Sequence, residues 1–178
     1  MEFKNAMDAI LNRRSHRKYT ADQLTAEQLD AIMQAYDWAP TARNEQEIRA
    51  VVVQDKAWME AFAADFEAFC GAAGGKMFKN FYYGAPTFVF LIGPREFRFT
   101  LVDAGITVEN MAIAAESMGL SSVIIGCIKE FMADEASAPW RAKLDMTEDE
   151  IFTIGIAIGN PDAEMKPPAR KPGKISYI

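Results

Sequence analysis

Histidine and cysteine, the residues that most often build metal centres and nucleophilic sites, are almost missing here: His16 is the single histidine, and Cys70 and Cys127 are the two cysteines among 178 residues. Neither cysteine belongs to a C-x-x-C pair, which excludes a disulfide framework and fits a reducing compartment. No His pair or Cys cluster is available to hold zinc. One histidine leaves a Ser-His-Asp or Cys-His mechanism a single candidate base, set among positive charges that disfavour its protonation. It is read as a solvated side chain. No G-x-G-x-x-G follows a strand pattern, and no G-x-x-x-x-G-K-[ST] occurs. Long apolar runs are missing too: "TFVFLIG" and "SSVIIGCI" fall far short of a bilayer span. The start "MEFKNAMDAILNRRSH" lacks the basic-then-apolar pattern of a secretory leader. Positive charge is in deficit, 19 Lys and Arg against 25 Asp and Glu, which argues against a non-specific binder of nucleic acid or anionic membranes. The expectation is a soluble cytoplasmic protein. Its length suits a single domain over 1–178, with 160–178 as a C-terminal arm.

The apolar residues that are present define the elements. Phe3, Met7, Ile10 and Leu11 recur at helical spacing over residues 3–13. Thr25 and Gln28 form a capping-box pair ahead of a helix whose buried stripe is Leu29, Ile32, Met33 and Tyr36, and Pro40 ends it. "IRAVVVQD", "APTFVFLIG", "SSVIIGCI" and "EIFTIGIAIGNP" read as strands, with a helix over 56–75 between the first two. Residues 103–118 form the most hydrophobic helix, read as running through the core, and Gly119 supplies its stop. Residues 134–144 read as a broken helix, and the Pro- and Lys/Arg-rich tail from Asp162 has little to bury. Helices and strands that mix without strict βαβ alternation predict an α+β fold in three layers.

In an acidic chain, "RRSHRK" stands out, with Arg13, Arg14, Arg17 and Lys18 around Ser15 and His16. A solvated basic turn is one reading. The other is an anion site. Arg13, Ser15 and Arg17 alternate, so an extended backbone points them one way. Arginine carries a planar fork of donors that matches phosphate, and a further arginine, Arg170, waits in the tail. "APTARNEQ" places Asn44 and Gln46 two apart before a strand. They form either a polar loop or a set of amide donors and acceptors for the edge of a flat heterocycle.

Taken in order, "RRSHRKYT", "APTARNEQ", "YGAPTFVFL", "DAGITVENMAIAAESMGL", "SSVIIGCI" and "IGNP…PPARKP" resemble the FMN-dependent nitroreductase family, in particular its compact members. The resemblance implies a three-layer α/β/α nitroreductase-like fold with a central, mostly antiparallel sheet, in an intertwined homodimer that holds FMN at its interface. It implies that Arg13 and Ser15 hold the phosphate and ribityl chain, with Arg14 near the phosphate and Arg170 returning to it. Arg17 is implied at the N1–C2=O edge of the flavin, where a guanidinium stabilises the charge left by reduction. It is the one residue given a catalytic role, the chemistry being carried by FMN. Pro40, Thr41, Asn44 and Gln46 are implied to reach across from the partner subunit. Ile124, Ile125 and Gly126 are implied to lie against the ring, and the helix from Asp103 to form the dimer interface.

The activity implied is ping-pong transfer of electrons from NAD(P)H through FMN to a nitroaromatic, quinone or similar small acceptor. The alternatives are a flavin-binding carrier or sensor, or an anion-binding module without nicotinamide-dependent turnover. The chain departs from the family pattern at Glu47 and Ile48, and at Val123, Ile124 and Cys127, positions that bear on substrate choice more than on the phosphate set. Cys127 reads as packing or as a thiol near the flavin. The Gly-rich stretch "GAAGGK", residues 71 to 76, reads as a mobile loop near the entrance or as an ordinary helix-to-strand connection.

Overall fold

Four strands rich in β-branched and aromatic residues make one antiparallel sheet: β1 (Arg49–Val53), β2 (Thr87–Pro94), β3 (Ser121–Ile125) and β4 (Glu150–Gly159), in the order β1-β2-β4-β3. The structure is a computed structural model that describes residues 5–72, 74, 80–165, 169–174 and 176–178. Phe3 and most of the second half of "GAAGGK" lie outside the described residues.

The pleat sends successive side chains to opposite faces, and β2 fills both. Phe88, Phe90 and Ile92 enter an aromatic layer with Met59, Phe62 and Phe66 of α3 (Lys56–Ala72), Phe131 of α5 (Lys129–Ala133) and Trp140 of α6 (Ala138–Lys143). Val89 and Leu91 enter an aliphatic layer with Ile32 of α2 (Ala26–Asp37) and Ala104, Val108 and Met111 of α4 (Thr100–Ser117). This is the expected three-layer α+β arrangement. In β4 a bulge changes the parity: Leu91 pairs with Ile154 and Ile92 with Phe152, leaving Thr153 as the extra residue. Phe152 therefore joins the aromatic layer, while Ile154, Ile156 and Ile158 face the aliphatic one. The Thr153 hydroxyl donates to Leu91 O at 2.7 Å, which satisfies the irregular backbone.

The capping box of α2 forms as its sequence predicts, with Gln28 N donating to Thr25 Oγ1 and Thr25 N to Gln28 Oε1. Helix α4 begins at Thr100 rather than Asp103, since Asp103 N already donates to Phe99 O at 2.8 Å, and the Thr100 hydroxyl donates to Pro94 O. It ends where Gly119, at φ +78°, allows Leu120 N to return to Ala115 O and Gly119 N to Glu116 O. Helix α1 (Ala6–Asn12) packs on α4 through Ala9, so Met7, Ile10 and Leu11 face away from the chain. Leu101, Val102 and Ile106 of α4 are exposed as well. Among the described residues, no helix is long and apolar enough to cross a membrane.

Candidate functional site

Beyond α1 the chain runs in extended form along the free edge of β3. Ser15 bridges Ser122 in parallel, and His16 N donates to Ser122 O at 3.0 Å. The same alternation that puts Arg13, Ser15 and Arg17 on one side turns Arg14 and His16 to the other. His16 is therefore buried, 9% exposed, which corrects the expectation of a solvated histidine. Its backbone is fixed from both ends, because Tyr19 Oη donates to His16 O at 2.9 Å. Burial lowers the His16 pKa, the nearby Glu116 carboxylate opposes that shift, and Arg14 adds to it. Burial outweighs the carboxylate, so the imidazole is neutral at pH 7.

The three arginines have different surroundings. Arg13 Nε lies 3.2 Å from Glu109 Oε1 of α4. Arg14 folds back on the end of α1, its Nη1 donating to Leu11 O and Arg13 O at 2.7 Å. Among the described residues its buried Nε has no hydrogen-bond partner, and neither does the buried hydroxyl of Ser122. Arg17 Nε donates to Tyr83 Oη at 3.3 Å, with the guanidinium carbon 5.7 Å from the ring centroid, and Nη1 donates to Ser15 O at 3.3 Å. At the end of β3, Ile125 packs into the aromatic layer and Ile124 against the aliphatic one. What remains for a ligand is backbone and Gly126, where an added Cβ would meet nothing within 4 Å. Arginine donors at one end of a strip and an open, side-chain-free turn near the other fit a ligand that combines a phosphate with a flat ring.

The segment with Pro40, Thr41, Asn44 and Gln46 forms a tight exposed loop. Arg43, Asn44 and Gln46 all have positive φ, at 57°, 58° and 55°. Gln46 N donates to Thr41 Oγ1 at 3.1 Å. Ala42 N is held by both carboxylate oxygens of Asp103 at 3.1 Å. Among the described residues no hydrogen bond joins this loop to residues 13–17. It rests on the first turn of α4, and the Arg13 partner Glu109 lies further along the same helix, roughly 9 Å of rise away. Arg170 is exposed in the tail, with no described bond to the strip.

Cys127 is exposed in the turn after Gly126, and protein packed around the sulfur pushes its thiol up; burial does the same to Cys70. Both remain protonated thiols at neutral pH. A cleft of about 620 Å³ between α5, α6 and the start of β4 holds six charged side chains. Its Glu150 is paired with Arg49, and its Arg141 is bonded to Asp134 O and Ser137 Oγ. Sequence reasoning missed Glu109, Tyr83 and Asp103. Asp103 and Glu109 left a signal, as carboxylates in the most apolar helix; Tyr83 left none.

A basic strip beside the edge strand of an α+β sheet, with an open turn beyond it, is suited to a ligand of nucleotide type. A model of the nitroreductase family matches residues 10–160, and the chain belongs to that family. It is 31% identical to the NADPH-flavin oxidoreductase of Vibrio harveyi, covering 96% of this chain and 72% of that one. It is 29% identical to the FMN reductase (NADPH) of Bacillus subtilis, covering 88% of this chain and 66% of that one. The chain thus spans about two thirds of the length of these two relatives. Its fold matches an FMN-dependent nitroreductase of Clostridium difficile with a TM-score of 0.86 at 26% identity, over 98% of this chain and 99% of that one. A nitroreductase of Bacteroides fragilis with bound FMN gives a TM-score of 0.89 at 24% identity and the same coverage.

Proposed function

We propose that the protein is an FMN-dependent oxidoreductase that takes electrons from NAD(P)H and passes them to a small acceptor such as a nitroaromatic or a quinone, donor and acceptor using the same face of the flavin in turn. The observation that carries this is the strip of Arg13, Ser15 and Arg17 along β3, leading to the open turn at Gly126. The flavin reductases and nitroreductases to which the chain is similar support it. When bound, FMN supplies the electron-carrying ring.

The chain's own residues bind and tune. Arg13 and Ser15 hold the phosphate and ribityl chain, with Arg14 and Arg170 as further positive charge. Arg17, steadied by Tyr83, presents its guanidinium to the ring edge where negative charge collects on reduction. The end of β3, Ile124 to Gly126, offers backbone to the ring. Pro40, Thr41, Asn44 and Gln46 serve the site of a second copy, a reading supported by their separation from residues 13–17 within one chain. The homodimer is supported by the exposed apolar face of α1 and α4. Its setting is the cytoplasm, in keeping with free, protonated thiols.

An anaerobic titration tests this reading. The purified protein is expected to be yellow, to release FMN on denaturation, and to bleach on addition of NADH or NADPH. A colourless protein that takes up no FMN overturns it. Bleaching by dithionite alone leaves a flavin carrier or sensor.

A further inference from the structure

This inference rests on the reading of Arg13 as a phosphate ligand. Arg13 caps the end of α1, its backbone N donating to Ala9 O at 2.8 Å, so the base of its side chain is fixed. Its tip lies beside an acid. Glu109 Oε1 is 3.2 Å from Arg13 Nε, an ion pair, with Arg13 at 21% and Glu109 at 45% side-chain exposure. A guanidinium is planar, with five N–H groups in a rigid fork, so a carboxylate drawn to the Nε side biases the two terminal NH₂ groups away from it. Those terminal groups make no bond among the described residues. Glu109 stands on the middle of α4, an eighteen-residue helix anchored by the core, whereas Arg13 stands in an extended segment on the sheet edge.

We propose that Glu109 is a positioning residue for the cofactor phosphate: it grips Arg13 from behind and presents the outer edge of its guanidinium to the anion. Beside it, Arg14 is turned onto the carbonyls of α1 and Arg17 onto Tyr83. Among the described residues, Arg13 is thus the arginine of the strip with both terminal NH₂ groups unbonded. Glu109 also offsets part of the mutual repulsion of the three arginines, which lets them sit together before any ligand arrives.

The opposite role for the same contact is competition, in which Glu109 occupies Arg13 until phosphate displaces it. The two roles predict opposite signs. Flavin-free protein is titrated with FMN and with riboflavin, which lacks the phosphate, following quenching of flavin fluorescence, for the parent, Glu109→Ala, Glu109→Gln and Arg13→Ala. Positioning predicts that Glu109→Ala weakens FMN about tenfold, the low end for one charge-assisted contact, with riboflavin unchanged. Glu109→Gln keeps an oxygen beside Nε without the charge and recovers only part of the loss. Tighter FMN binding in both Glu109 variants overturns the proposal in favour of competition. Equal loss for FMN and riboflavin reduces Glu109 to a structural residue, and no change removes it from the site. Arg13→Ala separates the layers. If it leaves the preference for FMN over riboflavin intact, the phosphate reading of Arg13 itself fails. If it erases that preference while the Glu109 variants do nothing, only the positioning role fails.

Discussion

Asp103 holds the Ala42 N–H with both carboxylate oxygens at 3.1 Å, from a side chain only 2% exposed. One buried acid thereby fixes the loop that carries Asn44 and Gln46 to the first turn of α4, where the helix dipole favours a negative charge. The loop needs such an anchor, because non-glycine residues at positive φ cost on the order of 1 kcal/mol each and persist only where surrounding contacts hold them. Asp103→Ala leaves that N–H without its partner and is expected to destabilise the flavin-free protein by ~1.5–3 kcal/mol. Asp103→Asn, which keeps one acceptor, is expected to lose less. Urea denaturation measures both. A variant as stable as the parent would show that the loop is held by its own Thr41–Gln46 bond.

Arg17 and Tyr83 come from segments 66 residues apart and make one unit. Arg17→Ala is expected to slow flavin reduction more than it weakens FMN binding, because the charge it stabilises develops on the reduced ring. The loss corresponds to ~1.5–3 kcal/mol in the barrier. Tyr83→Phe removes the acceptor for Nε but keeps the ring face, so a smaller effect of the same kind is expected. Stopped-flow reduction beside FMN titration separates rate from affinity. Unchanged reduction with lost binding would move Arg17 to the phosphate.

The pH dependence of stability follows from two groups with lowered pKa values. His16 is held below its ordinary 6.5 by burial. The unfolded chain therefore takes up a proton at His16 before the folded protein does, and stability is lost as pH falls from about 6.5 through the lowered value. Glu150 is held below its ordinary 4.5 by the Arg49 hydrogen bond. Its contribution is retained through the His16 window and lost only in more acidic solution. Urea midpoints of the parent should fall between pH 8 and 5, and less steeply for His16→Gln. Parallel curves for the two proteins would mean that His16 titrates alike in both states.

The extended run of residues 13–17 was legible in the sequence, and the structure lays it along β3 with a bridge from Ser15 to Ser122. Its alternation points His16 inward, but local charge suggested solvent, and what decided the matter was the cover that β3 and α4 place over it. The four strands read correctly because each is bounded by turns and dense in apolar residues. The β4 bulge did not, since "EIFTIGIAIG" shows no defect until it is paired with β2. The Glu109–Arg13 and Tyr83–Arg17 contacts were not legible either, because they join segments that only the completed fold brings together. The stripe on α1 was visible as a stripe, yet periodicity reports that a face is apolar and not which chain covers it.

That last point yields a prediction. Met7, Ile10 and Leu11 of α1 and Leu101, Val102 and Ile106 of α4 are all exposed in the single chain. Helices α1 and α4 pack on one another, which brings these residues into the same region of the surface. Six exposed large apolar side chains on two neighbouring helices mark an interaction site rather than ordinary surface. Since the proposed FMN site takes residues 13–17 from one copy and 40–46 from the other, the face between them should be the dimer contact. Leu101→Glu combined with Ile106→Glu alters two exposed positions and leaves the core of the chain intact. Losing two side chains worth ~1.5–3 kcal/mol each on burial is expected to raise the dimer dissociation constant by roughly a hundredfold or more. Sedimentation at low concentration reads the change, and FMN retention should fall with it because each site loses the residues that the other copy contributes. A double variant that stays dimeric and keeps its flavin would place the interface elsewhere. A folded monomer that still binds FMN tightly would instead show that residues 13–17 and the end of β3 suffice, and that the 40–46 loop belongs to no shared site.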